Sequence, residues 1–539
     1  MSPIDFGYPS PAEFDDEVRD LVTAHVASRI SVGDGTLWGD AAAPEASRRL
    51  GWVDLPTSST GLLAEIAELR AELLAEGVDI VTLAGMGGSS LAPEVICATA
   101  GVPLEVVDTT DSGQIAEAIG TDLSRTVLVV SSKSGSTVET DSHRRAFSSA
   151  FEAAGIDPAS RIVVVTDPGS PLHELALELG YRRVFLADPE VGGRYSALSA
   201  FGLVPSGLAG ADIGALLAEA QEIAPALALD EPTNPAIQLG AFLGVAHARD
   251  TEKLVVAATS SPIVGFGAWL EQLVAESTGK DGEGILPVVV EGIDAPGFVD
   301  AGADAMLLFI GRAEGEHQPM SGFACAVDAP LGAQFLLWEY ATAITGYSIG
   351  INPFDQPDVE AAKAGAREML DGGLGTGAER PAFTHGAVAV FGPPELLDGA
   401  DTLEDALRAL ADSAEEYGYV AIQAYLDRTS DTRAALIRQA AALRTGLQTT
   451  FGFGPRYLHS TGQYHKGGHP NGVFLQITAD SRADLLIPGR DFTFGQLQAA
   501  QAAGDARVLR ERRRPVLRLH LTDRAQGIEQ ILAAFGFEA

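Results

Sequence analysis

A chain of 539 residues and 56.1 kDa is larger than one hydrophobic core keeps growing, so roughly two to four packed units are expected. Its formal net charge of -37 excludes DNA, RNA and anionic lipid surfaces as partners, since each of these needs a basic face. Apolar residues make up 46% of the chain but fall in short runs, none near the ~18 residues of a membrane span, and two cysteines, Cys97 and Cys325, exclude a disulfide framework and a Cys-based zinc site.

Taken in chain order, the start "MSPIDFGYPSPAEFDDEVRD" is acidic and lacks a basic region followed by an apolar one, so no secretory signal is expected and a cytoplasmic location is. Residues 1–52 carry helical periodicity and predict an N-terminal helical arm. Short Val/Ile/Leu runs follow, "VDIVTLA", "LEVVD", "TVLVV", "RIVVVTD" and "RRVFLAD", alternating with helical stretches such as "ETDSHRRAFSSAFEAAG". Near-continuous apolar strands separated by helices predict a parallel sheet covered on both faces, over residues 53–212. A helical zone near 210 to 250 leads into a second such series, "EKLVVAATSS", "ILPVVVEG" and "AMLLFIG", over 213–370. The Gly-rich "DGGLGTGAERPA", residues 371–382, predicts a linker. A third α/β unit over 383–539 is expected from "AVAVFG", "YVAIQAYL", "GVFLQIT" and "VLRLHLT".

Two βα loops offer chemistry. In "VTLAGMGGSSLAP" a strand meets Gly85, Gly87, Gly88, Ser89 and Ser90 before a helix, whose free N–H groups suit an anion. With Asp108 ending the next strand, this half-imitates a dinucleotide fingerprint, but Ser90 stands where the third glycine would be. In "VLVVSSKSGSTVET", Ser132, Lys133, Ser134 and Thr137 lie between a strand end and a helix start, a cradle for a monophosphate; a solvated Ser-rich loop is the alternative.

Four further stretches complete a pattern: "VGGRYSALSA" with Arg194, "LEQLVAESTGKDGEG" with Gln272 and Glu276, "NPFDQPDVEAAK" with Lys363, and "YLHSTGQ" with His459. Together with the Ser/Thr loop they resemble the signature segments of the glucose-6-phosphate isomerase family, over roughly residues 55 to 365. The resemblance implies two sugar isomerase (SIS) α/β domains, doubly wound, followed here by a C-terminal α/β domain, and a cofactor-free and metal-free enzyme of glycolysis and gluconeogenesis. It implies that Glu276 shuttles a proton between C2 and C1 of a sugar phosphate and that Arg194 stabilises the enediolate. Lys363 would lie near the ring oxygen, Gln272 would face substrate hydroxyls, and Ser132, Ser134 and Thr137 would hold the phosphate, with Lys133, Gly88 and Ser89 beside it. Without their motifs, Glu276 would read as a solvated helix residue, Arg194 as an ion-pair partner and Lys363 as a helix-surface lysine.

The ring-opening histidine is missing from its usual place. Between Ser277 and Phe354 the one histidine is His317, in no family-like context, and "LGAQFLLWEYATAITG" offers Gln334 and Phe335 where some members carry "QHAF". "YLHSTGQYHKGG" resembles the segment around that histidine in short bacterial members, so His459 is expected to fill the role from a relocated position. A metal site of His459, His465 and His469 is the competing reading, weakened because Gly467, Gly468 and Pro470 remove the meaning of a helical spacing. His465 and Lys466 would then add positive charge beside an anionic substrate. Asp358 stands where glycine is usual, and Ser90 and Ala92 replace a common Asp and Gly. Alternatives are an isomerase that also accepts mannose 6-phosphate, a non-catalytic SIS-type sensor, and a dinucleotide-dependent oxidoreductase. The short N-terminal arm leaves no room for the transaldolase barrel found in some fusions, and the resemblance leaves a homodimer open.

Overall fold

The computed structural model describes residues 4–5, 12–313, 319–358, 370, 380–481 and 483–537. Within them the strands fall into three sheets. The first contains β2 (Ile80–Ala84), β3 (Glu105–Val107), β4 (Thr126–Ser131), β5 (Ile162–Thr166) and β6 (Arg183–Leu186), in the order β3-β2-β4-β5-β6 and parallel throughout. The second contains β7 (Lys253–Ala258), β8 (Leu286–Val289), β9 (Ala305–Ile310) and β10 (Ala324–Val327), in the order β8-β7-β9-β10. The two-residue strand β1 (Ile4–Asp5) is added antiparallel at its edge. The third contains β11 (Phe383–His385), β12 (Val388–Phe391), β13 (Tyr419–Ala424), β14 (Gln448–Phe453), β15 (Gly472–Ala479) and β16 (Val516–Leu521). There β14-β13-β15-β16 run parallel and β12 and β11 extend the sheet antiparallel.

The parallel part of each sheet begins alike. Its first strand lies between the second and the third, so the chain reverses direction beside it, and such switch points are where open α/β sheets bind ligands, at the carboxyl ends of the strands. In the first sheet the reversal separates β2 from β4, and the loops leaving these two strands are the glycine and serine loops singled out from the sequence.

Burial explains the continuous apolar runs. Along β4, Val127 and Val129 join a core shared with the N-terminal helices and the second sheet, while Leu128 and Val130 face a different cluster with Phe147 and Phe151. That second cluster also takes Ile487, Phe494 and Leu497 from the third unit. On the far side of the second sheet, Val255, Leu307 and Phe309 pack with Tyr419, Phe474 and Leu509. The third unit thus docks on both of the others through apolar side chains, each worth about 1.5–3 kcal/mol when fully buried.

The small-residue run "ACAV" forms β10 and the Thr-containing "QTTFGF" forms β14, two strands the apolar-run pattern does not reveal. Gln334 has no place in the site. Its amide donates to the Val327 carbonyl at 3.0 Å and accepts from Trp338 Nε1 at 3.2 Å, inside the almost wholly buried helix Leu331–Ile349. Among the described residues no helix is long and apolar enough to cross a membrane. Most of the expected linker, residues 371–379, lies outside the described residues.

Candidate active site

Arg194 sits in a single 3-10 turn, Gly193–Tyr195, and is 3% exposed. Its planar guanidinium is used on every side. Nε donates to Ser277 Oγ (2.8 Å), Nη1 to Gln356 Oε1 (2.6 Å), and Nη2 to the carbonyls of Pro353 (2.7 Å) and Asp355 (3.0 Å). Nη1 also lies 3.1 Å from Glu276 Oε1. Arg194 therefore fastens the "PFDQ" segment to the helix that carries Glu276. Lys280 reinforces this by donating to the Asn352 and Asp355 carbonyls and to Asp355 Oδ1, each at 2.7 Å, and burial, helped by the nearby Arg194 charge, pushes its amine down to about 8.

The helix Phe266–Thr278 presents Gln272 and Glu276 on one face, four residues apart. Both are buried. Gln272 Nε2 donates to Glu276 Oε2 at 3.0 Å and to the backbone carbonyl of His459 at 2.8 Å. One amide thus joins Glu276 to the backbone of the segment that carries His459. The imidazole Nε2 of His459 lies 3.1 Å from Glu139 Oε1, which also accepts from Gln501 Nε2 at 2.7 Å. Burial alone would raise the Glu139 carboxyl, but the charge and hydrogen bond of His459, together with a backbone hydrogen bond and the nearby His143, hold the group at about 2. Glu139 is the residue sequence reasoning passed over. An acid in the first turn of a helix has an ordinary explanation in the helix dipole, which hides its use as a histidine partner.

Glu139 belongs to the helix Val138–Ala153, which starts where the serine loop ends. Thr137 at its N-cap position makes no side-chain cap to the amides of the first turn. Ser132 Oγ lies 3.1 Å from Thr137 Oγ1 and accepts from the Gly135 amide, and Ser134 Oγ accepts from the Ser136 amide. A cavity of about 320 Å³ opens here, walled by Ser132, Gly135, Ser136 and Thr137 and, on one side, by Arg490 from the third unit, which pairs with Asp141 of the same wall at 2.8 Å. No sequence signal marks Arg490, since it arrives from more than 300 residues away.

Several of the residues expected in the site have other partners in the structure. Lys133 turns away from the cradle to pair with Asp167 at 2.6 Å, because that carboxylate lies within its reach beside the loop. Gly88 serves the site through close backbone packing, since a Cβ there would collide with the Gly193 carbonyl next to Arg194. Gln272 spends its donors on Glu276 and the His459 segment, and only its Oε1, without a partner among the described residues, remains for another group. Lys466 is buried against Asp505 at 2.6 Å, and burial pushes His465 down to about 3, so neither adds charge to the site. Asp108 is taken by Arg456 at 2.6 Å and is not open to a ribose. Asp358 accepts from Gln463 Nε2 at 2.7 Å and also pairs with Arg512, while its amide donates to Gln463 Oε1 at 3.0 Å. The residue in the usual glycine position is thus the anchor of the segment after His459. Ser89 lies buried in the turn Gly87–Ser89, whereas Lys363 and His317 fall outside the described residues. His469 is half-exposed and pairs with Glu252. Among the described residues no cluster of three or more His, Cys, Asp or Glu is placed to hold a metal ion.

The Gly88 contact gives a test. Gly88→Ala is expected to cost about 1–3 kcal/mol through overpacking and to lower the urea midpoint, with activity falling further than stability because the push is delivered to Arg194. An unchanged midpoint would mean that the two loops separate freely.

Residues 74–286 match the family model described as phosphoglucose isomerase. That span contains the glycine and serine loops, Glu139, Arg194, Gln272 and Glu276, but not His459. A glucose-6-phosphate isomerase of Rippkaea orientalis is 29% identical over 350 residues, covering 54% of this chain and 66% of that protein. A probable glucose-6-phosphate isomerase of Haloarcula marismortui is 37% identical over 219 residues, 40% of this chain and 50% of that one. The chain therefore spans between 50% and 66% of the length of these curated relatives. Among solved structures, a hypothetical protein of Thermus thermophilus superposes with a TM-score of 0.55 at 26% identity, over 66% of this chain and 94% of that one. A glucose-6-phosphate isomerase of Chlamydia trachomatis, at 21% identity and a TM-score of 0.53 over 69% of this chain and 89% of that one, shows the same fold.

Proposed function

We propose that this chain, whose residues 74–286 match the phosphoglucose isomerases, interconverts glucose 6-phosphate and fructose 6-phosphate through ring opening and a cis-enediol. The observation that carries the reading is the meeting of Glu276, Arg194, Gln272 and His459, drawn from distant parts of the chain, at the switch-point loops of the first sheet.

The phosphate binds at Ser132, Ser134, Thr137 and the amides of the helix start, with the Ser89 turn alongside. His459, held by Glu139, moves the proton that opens the ring, with Lys363 at the ring oxygen. Glu276 then takes the C2 proton and returns it at C1. When Glu276 becomes neutral, the guanidinium 3.1 Å away loses its ionic partner just as the enediolate gains charge, so Arg194 stabilises the intermediate without moving. The proton transfer involves no net oxidation and calls for no cofactor. Two buried free thiols, Cys97 and Cys325, support a reducing, cytoplasmic setting.

The test is turnover of fructose 6-phosphate by EDTA-treated protein, with glucose 6-phosphate followed as product. Metal-independent turnover is expected. Tight sugar-phosphate binding with no turnover would replace the enzyme by a sensor.

A further inference from the structure

A second cavity, of about 350 Å³, lies at the carboxyl edge of the third sheet, where β13 and β14 end against the helix Phe266–Thr278. Its volume falls in the roughly 300–1,000 Å³ range of small-molecule sites. None of Glu276, Arg194, Gln272 or the loop serines lines it. It occupies the other side of the segment that carries His459, with Arg456, Ser460 and Thr461 in its wall. Likewise Glu271 faces this cavity while its neighbour Gln272 faces the catalytic groups.

The decisive feature is Gln423. This side chain lines the cavity, is 1% exposed, and neither its Oε1 nor its Nε2 has a partner among the described residues. A buried amide with both ends unused costs several kcal/mol in order of magnitude unless something binds it. Arg428 Nε, also in the wall, is a second buried donor without a partner.

The charges in the wall are balanced. Arg428 pairs with Glu94 at 2.7 Å, and Arg456 pairs with Asp108 at 2.6 Å and with Glu94. Glu271 is a half-buried carboxyl in the same wall, pushed up to about 8 by burial against the pull of Arg456. A phosphate would find no uncompensated cation here. Adjacent donors and acceptors beside the rings of Phe451 and Phe453 match a molecule with vicinal hydroxyls and an apolar C–H face.

We propose that this cavity is a second ligand site for an uncharged polyhydroxylated small molecule, such as a sugar without phosphate, and that its occupant acts on turnover through the His459 segment and the Glu276 helix. The site is distinct from the sugar-phosphate site and does not depend on the isomerase reading for its binding chemistry.

Calorimetric titration of the full chain with D-glucose and with D-fructose tests it, in the presence and absence of saturating fructose 6-phosphate. Binding that persists under saturation is expected, weakened about tenfold or more in Gln423→Leu and also in Phe453→Ala, a cavity-wall variant that leaves the buried amide in place. Turnover in the absence of sugar should be unchanged in Gln423→Leu, while its response to sugar is lost. The proposal is overturned by absence of binding to the unmodified protein, by binding in both variants as tight as in the unmodified protein, or by full competition from the sugar phosphate. Binding of adenine with no binding of either sugar would overturn the ligand class. Because calorimetry does not require turnover, failure of the isomerase reading would show separately as an inactive protein that still binds.

Discussion

Glu276→Gln is expected to lower turnover of fructose 6-phosphate by about 10²–10⁴-fold, the range for loss of a general acid/base, while leaving the substrate dissociation constant within a few-fold. The two effects separate because the phosphate cradle belongs to the first sheet, whereas Glu276 is on a helix of the second unit. Glutamine keeps the shape of the side chain, can still meet Gln272, and removes the basic oxygen. It also leaves the Arg194 guanidinium without an anion 3.1 Å away. Steady-state kinetics beside direct binding measurements check the split. A variant retaining a third of the activity would show that the proton is carried by another group.

His459→Ala has the next largest expected effect, about 10²-fold in kcat with a cyclic substrate. The backbone carbonyl that Gln272 uses is retained in alanine, so the link between segment and helix survives and the loss reports the imidazole itself. Glu139→Gln should give a smaller loss of the same kind, since the ring remains but its carboxylate partner is gone. Full activity in His459→Ala would return the segment to a purely structural role and remove the relocated histidine from the mechanism.

What the residues reveal before folding divides along a physical line. Strands such as β4 are legible because both faces are buried and every position must be apolar or small. Arg194 and Glu276 are legible because their immediate neighbours carry the motif. Lys133 misleads because the cation is local while its partner, Asp167, is 34 residues away. Arg490 and Glu139 leave no trace, since their importance comes from which distant group they meet. Asp358 is an intermediate case. As a departure from an expected glycine it marks an altered connection, but only the bonds to Gln463 and Arg512 tell what was altered.

The pairing of Arg428 and Arg456 with Glu94 and Asp108 has a consequence for how the chain matures on the ribosome. Units of a long chain fold from the N-terminus as they emerge. The first sheet, with two neighbouring carboxylates, is made more than 300 residues before the arginines that neutralise them. Until those arginines arrive, like charges sit side by side at the glycine loop and Gln272 lacks the carbonyl that steadies it. Completion of the candidate site is thus postponed until the third unit has been made, when its docking supplies the counter-charges and the His459 imidazole together.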